Sequence, residues 1–247
     1  MFEHLISVYT LSNYPLLLSS LVTFAFGYWE YIYSFRLILA ENKAPYPLWM
    51  HTFYFAHDST WCIRLFLAAS QNDFNWFLTG TSLALLLWNG FEVFNLWKAV
   101  TVERQEIWGP YMREKVVTID VAIWDTVKQI LGFYCVVNLF ILFAGGDCLF
   151  EWFLFTNILI AWGPGELWRN RRDRKGCSVG LAIVIVLATV NTFAPWSMWV
   201  LAMPDVFNTT WYYVSGVVFT AIAVQNLSIV LSLPAKKWEK GEKKPIW

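Results

Sequence analysis

Charge is what this sequence has least of. Asp, Glu, Lys and Arg make up 15% of its 247 residues, against roughly 25% in ordinary soluble domains. The signs balance at 18 basic and 18 acidic residues. No net field exists to hold nucleic acid, and no such partner is expected. Cysteine is scarce as well. Cys62, Cys135, Cys148 and Cys177 stand apart with no CxxC pair, which argues against zinc ribbons and dithiol redox motifs. Glu3 and His4 occupy the place of a basic n-region, so no cleavable signal peptide is expected. There is no Walker loop, GxGxxG, HExxH or GxSxG, and no aspartate-rich DDxxD-like cluster. Nucleotide binding, zinc hydrolysis, serine hydrolysis and magnesium-assisted loss of diphosphate therefore find no support. No cofactor, metal set or obligate protein partner is indicated.

What is abundant is apolar. Hydrophobic residues reach 57%, with 16 Trp, and the expected solvent for much of this surface is lipid. A spanning helix needs about 20 mostly apolar residues. Seven stretches qualify: Pro15 to Phe35, Leu48 to Ala69, Phe74 to Trp97, Val121 to Ala144, Phe150 to Trp168, Val179 to Met203, and Trp211 to Leu233. The expected fold is an all-α, seven-transmembrane-helix bundle forming a single domain over residues 1–247. Short connectors such as Gln71-Asn72-Asp73 and Gly145-Gly146-Asp147 leave no room for a linker.

Basic residues set the orientation. They follow the first span (Arg36, Lys43), the third (Lys98, Arg104, Arg113, Lys115) and the fifth (Arg169, Arg171, Arg172, Arg174, Lys175), and fill the tail (Lys236, Lys237, Lys240, Lys243, Lys244). These are 16 of the 18 basic residues, and the opposite connectors carry none. Arg64 and Lys128 lie within spans. The N-terminus is thus expected on the lumenal side and the C-terminus in the cytosol. This is a multi-pass protein, with the endoplasmic reticulum as the expected compartment. Asn208-Thr209-Thr210 is a sequon on the lumenal side, close to the last span.

Ionisable groups inside a bilayer are costly and usually functional. Here they are Glu30, His51, His57, Asp58, Arg64, Glu92, Asp125, Lys128 and Glu166, with Asn89, Asn95, Asn191, Gln225 and Asn226 as polar companions. Arg64 is expected to snorkel to the far interface. At 1.5 Å per residue, Glu30, Asp58, Glu92, Asp125, Gln225 and Asn226 fall in a band roughly 8 to 17 Å below the cytosolic boundary. A shared level implies a polar cavity. Asn89, Glu92 and Asn95 share one helix face with Trp88, His51 and Asp58 share another, and Asp125 and Lys128 can pair. Asp58 has only His57 nearby as a local base.

Buried carboxylic acids can protonate an alkene or an epoxide. Aromatic faces then stabilise the cation, and Trp29, Phe53, Trp61, Trp88 and Trp124 stand beside the acids. Asp58, Glu92, Asp125 and Glu30 are the candidate catalytic acids. His57, Trp61, Trp88, Asn89, Trp124, Asn191, Gln225 and Asn226 are the candidate substrate-lining residues. A sterol-isomerase-like enzyme would use the same chemistry. A small-molecule transporter or lipid-binding protein is the non-enzymatic alternative. Gly163-Pro164-Gly165 is expected to break the fifth helix, as transporters often do, but no inverted repeat is visible.

Several local patterns resemble the fungal integral-membrane terpene cyclases of meroterpenoid and indole-diterpene biosynthesis. They are Pro45-Tyr46-Pro47-Leu48-Trp49-Met50 leading to Phe55-Ala56-His57-Asp58, the Trp88…Glu92 helix followed by Glu103-Arg104-Gln105-Glu106-Ile107-Trp108, and Arg172-Asp173-Arg174-Lys175-Gly176-Cys177-Ser178. The likeness is diffuse and covers most of the chain. It implies acid-initiated, metal-free cyclisation of a lipophilic prenylated aromatic or polyketide substrate. The family's helix-two acid, usually Glu, maps onto Asp58, whose reach is shorter. Its last-helix acid has no counterpart, the nearest positions being Gln225 and Asn226. Glu92, Asp125 or Glu30 would then complete the acid–base set.

Overall fold

The computed structural model describes residues 1–112, 116–146, 148–237 and 246–247. Arg113, Lys115, Asp147, Lys240, Lys243 and Lys244 lie outside the described residues. Within them the chain is helical, with no strand. The helices are α1 Phe2–Val8, α2 Tyr14–Glu41, α3 Leu48–Ser70, α4 Trp76–Lys98, α5 Arg104–Trp108, α6 Ile119–Phe143, α7 Leu149–Arg169, α8 Val179–Thr192, α9 Met198–Ala202, α10 Pro204–Phe207 and α11 Thr210–Ser232. They form two compact units. One comprises Met1–Ile6 and Leu48–Leu149, the other Ser7–Pro47 and Phe150–Trp247.

In the first unit α3 packs along α4 and α6. Asn75 starts α4 by accepting from the Phe77 and Leu78 amides at 3.0 and 3.4 Å, which satisfies otherwise orphan donors of the first turn. The sequence reading placed a connector after Trp97. Instead the helix runs on through a π turn at Ala99–Glu103 into α5. No glycine or proline interrupts it until Gly109-Pro110, which stops it. Leu48, Leu96, Ala99, Val100, Trp108, Val117 and Ala122 form the apolar core at this end.

In the second unit α8 packs on α2 and α11. The sixth stretch is not one helix: α8 ends at Thr192, and Pro195 separates it from α9, because proline supplies no amide to continue the ladder. Conversely α7 passes through Pro164 unbroken, where the sequence led us to expect a break. The Asn226 amide of α11 donates 2.9 Å to the Ala161 carbonyl just upstream. Gly165 makes this approach possible, since a Cβ there would lie 1.9 Å from Asn226 Oδ1.

Three helical runs among the described residues are long and apolar enough to cross a bilayer: Trp76–Trp108, Ile119–Phe143 and Thr210–Ser232. The seven counted from sequence exceed this. Helices α2, α3 and α7 reach the length, at 28, 23 and 21 residues, but carry more polar side chains. Helix α8 has only 14 residues, about 21 Å at the helical rise, against roughly 30 Å of hydrocarbon. Apolar side chains crowd the exterior: Leu83, Leu86 and Leu87 on α4, Leu131, Leu139 and Phe140 on α6, and Val217 and Val218 on α11 are all exposed. Glu30, His51, His57, Asp58, Glu92 and Asn95 are buried. Polar groups inside and apolar groups outside suit a lipid solvent.

Candidate active site

The first unit holds two imidazole–carboxylate pairs, and α3 presents the imidazole of each. Its face carries His51, His57 and Asp58, each at most 4% exposed. His57 Nδ1 lies 2.7 Å from Asp58 Oδ1. The two are consecutive, so one turn of backbone fixes the pair. Among the described residues Asp58 Oδ2 accepts no hydrogen bond. Phe53 stacks on the His57 ring at 5.7 Å, and Phe133 of α6 meets Phe53 edge-on at 5.5 Å. One turn beyond Asp58, Trp61 is fully buried and its indole N–H has no partner among the described residues.

Helix α4 supplies the second pair. His51 Nδ1 lies 2.7 Å from Glu92 Oε2. Asn95, one turn further along α4, donates its amide to the same oxygen at 3.4 Å and lies 3.2 Å from His51 Nδ1. Asn89, on the same face, donates to the Leu85 carbonyl at 3.1 Å, and its Oδ1 is buried without a partner. Trp88 is half-buried. The Asn89–Glu92–Asn95 face inferred from spacing is therefore real and turned inward.

Comparison with protein-family models, curated proteins and solved structures returns no match.

A third polar group lies near the end of this unit. Asp125 Oδ2 accepts from Trp108 Nε1 and Gln129 Nε2, each at 2.8 Å. Thr52, next to His51, donates weakly to Gln129 Oε1 at 3.4 Å. The expected Asp125–Lys128 pair forms at 3.6 Å, but the lysine is 70% exposed and the aspartate 29%. Asp125 is thus a partly solvated acid tied to an indole. It stands apart in environment from the fully buried pairs. Trp124 must be removed from the lining set. It is 68% exposed, because α6 turns Ala122 and Thr126 inward and a residue two places from each points the opposite way. Arg64 reaches the Gly146 carbonyl at 2.9 Å and lies over the Trp61 ring at 5.3 Å, so its head group is held at the far end of α3.

The other expected residues belong to the second unit. Glu30 is 3% exposed, and its Oε1 has no partner among the described residues. Asn226 is buried and bound to α7. Gln225 is exposed and meets Arg169 only at 3.5 Å. The buried stripe of α11 runs through Ala223, Asn226 and Val230, and Gln225 falls off it, so it is withdrawn as a lining residue. Asn191 donates to Thr23 Oγ1 at 2.9 Å, a tie between α8 and α2.

Gln129 and Trp108 were not expected as polar partners, and His51 was expected on the Asp58 face without a role of its own. For His51 the signal was available, since it sits seven residues before Asp58 and so on the same face. Trp108 and Gln129 gave no signal, because nothing in the spacing connects α5 to α6. Among the described residues no three His, Cys, Asp or Glu side chains gather as a metal set would.

Proposed function

We propose that this chain is a membrane-bound terpene cyclase that protonates the terminal epoxide of a prenylated aromatic or polyketide intermediate. It would cross the membrane of the endoplasmic reticulum seven times, with α8 to α10 together forming the sixth passage. Its N-terminus would be lumenal and its C-terminus cytosolic. The observation that carries the reading is the buried His57–Asp58 pair with its one unengaged oxygen. When His57 donates Nδ1–H to Oδ1, the acidic proton resides on Oδ2, the oxygen without a partner. That proton passes to the epoxide oxygen. The tertiary C–O bond breaks with its electrons going to oxygen, and the π electrons of a neighbouring alkene fill the carbon left positive. His57 continues to hold the Asp58 carboxylate produced. Phe53, Phe133 and Trp61 supply aromatic faces without nucleophiles, which suits a carbocation. The sequence resemblance supports the same assignment of Asp58.

The test is conversion of an aromatic phenol bearing a terminally epoxidised farnesyl chain, followed by product analysis. Asp58→Asn is expected to slow substrate consumption by about 10² to 10⁴-fold, and Asp58→Glu to retain part of it. Full activity in Asp58→Asn overturns the role. Absence of conversion by the unmodified protein overturns the cyclase reading.

A further inference from the structure

An acid-initiated cyclisation needs a second proton event. The last cation must lose a proton from an adjacent carbon, and some group must take it. Asp58, having just become a carboxylate, is one candidate. The first unit holds another. We infer that Glu92, held by His51 and Asn95, is the base that removes the closing proton. The inference rests on the cyclase reading above.

The two pairs differ in a way that separates their roles. Asp58 receives one hydrogen bond, from His57 at 2.7 Å. Glu92 Oε2 is met by two groups, His51 Nδ1 at 2.7 Å and the Asn95 amide at 3.4 Å. Donors converging on one oxygen suit a carboxylate that acts as an acceptor. A buried carboxylic acid with a free oxygen is suited to give its proton away, and a buried carboxylate held by an imidazole and an amide to receive one. His51 and Asp58 are seven residues apart on one helix, which places the two pairs about 10 Å apart along α3. That separation matches a charge that starts at one end of a folded prenyl chain and finishes further along it. In the closing step the C–H electrons form the product alkene and the proton goes to Glu92. The enzyme then holds a protonated Glu92 and an ionised Asp58. Transfer of one proton from Glu92 to Asp58 restores it, with no outside oxidant or reductant. His51 and Asn95 act through Glu92 and are positioning residues.

The experiment compares substrate consumption with product distribution, using the same epoxyfarnesyl phenol and detergent-solubilised protein checked for a single elution peak. Glu92→Gln is expected to lower consumption by no more than about tenfold. The native product should fall by more than that, replaced by alkene isomers and water-trapped alcohols. Asn95→Leu should shift the product ratio the same way, to a smaller extent, whereas loss of a purely structural contact would lower yield without altering the ratio. Glu92→Asp should restore much of the native product. If Glu92→Gln does not fold, the Asn95→Leu and Glu92→Asp ratios decide. A native product distribution in all the folded variants overturns the assignment. So does a Glu92→Gln protein that folds yet consumes no substrate, because Glu92 would then be needed to start the reaction. If the unmodified protein consumes nothing, the cyclase reading fails first and the assignment of Glu92 falls with it.

Discussion

At the scale of single residues, burial decides what each acid or thiol can do. Cys177, in the connector before α8, is fully buried, and burial pushes its thiol up to about 11 from an ordinary 9.0. The buried site disfavours the thiolate. Its effect on stability is therefore absent below pH 9 and becomes a loss as the pH rises from about 9 toward 11, where the unfolded chain ionises first. Alkylation by iodoacetamide at pH 8 should spare Cys177 in the folded protein and modify it fully after denaturation. Equal labelling in both states would refute its burial. Asp58 was legible in the sequence because an acid so deep in an apolar stretch has few innocent explanations. The His51–Glu92 contact was not, since it joins two helices whose relative rotation no single sequence specifies. Trp124 and Gln225 were misread for a related reason. Each is adjacent to or near an inward residue, and depth along a helix says nothing about which way a side chain faces.

The helices show the same division. Their existence followed from apolar runs, and α3, α4, α6 and α11 begin and end close to the expected places. Two kinds of difference remain: α2 and the run begun by α4 continue past the expected ends, to Glu41 and through the π turn to Trp108, and two prolines behave in opposite ways. Pro195 ended a helix that hydropathy alone would continue, while Pro164 did not. Near Pro164, Asn226 of α11 is seated at the α7 backbone, its amide donating to the Ala161 carbonyl at 2.9 Å. Gly165→Ala should therefore cost about 1 to 3 kcal/mol of stability, by driving a methyl group into the Asn226 amide. Asn226→Ala should remove most of that clash, so the double variant should be more stable than the additive sum of the single variants. Thermal unfolding of all four proteins in one detergent checks this. Strict additivity would show that the two side chains do not meet.

For the whole molecule, the distribution of basic residues is the strongest topological signal in the sequence, and the proposed arrangement built on it has an odd number of crossings with the tail in the cytosol. In sealed microsomes, protease added outside should remove a C-terminal tag and leave an N-terminal tag protected. The reverse pattern, or cleavage of both tags, would refute the seven-pass arrangement. Hydropathy is an average, and it fades in the helices that carry the polar interior. Three runs are apolar enough to cross a bilayer, while α2, α3 and α7 have the length but carry more polar side chains.

The run from Trp76 to Trp108 contains 33 residues, about 50 Å at the helical rise. Hydrocarbon spans roughly 30 Å, and tilts rarely exceed 40°, so a rod of this length cannot be wholly submerged. In the proposed topology its cytosolic end stands clear of the acyl chains, with Lys98 and Arg104 marking the waterline. Glu92 lies six residues before Lys98, about 9 Å along the same rod. The helix then works as a dipstick: the depth of the carboxylate is read off from the headgroups on one side only. A thicker or thinner membrane would displace the lumenal ends of the helices and leave the distance from cytosol to Glu92 unchanged.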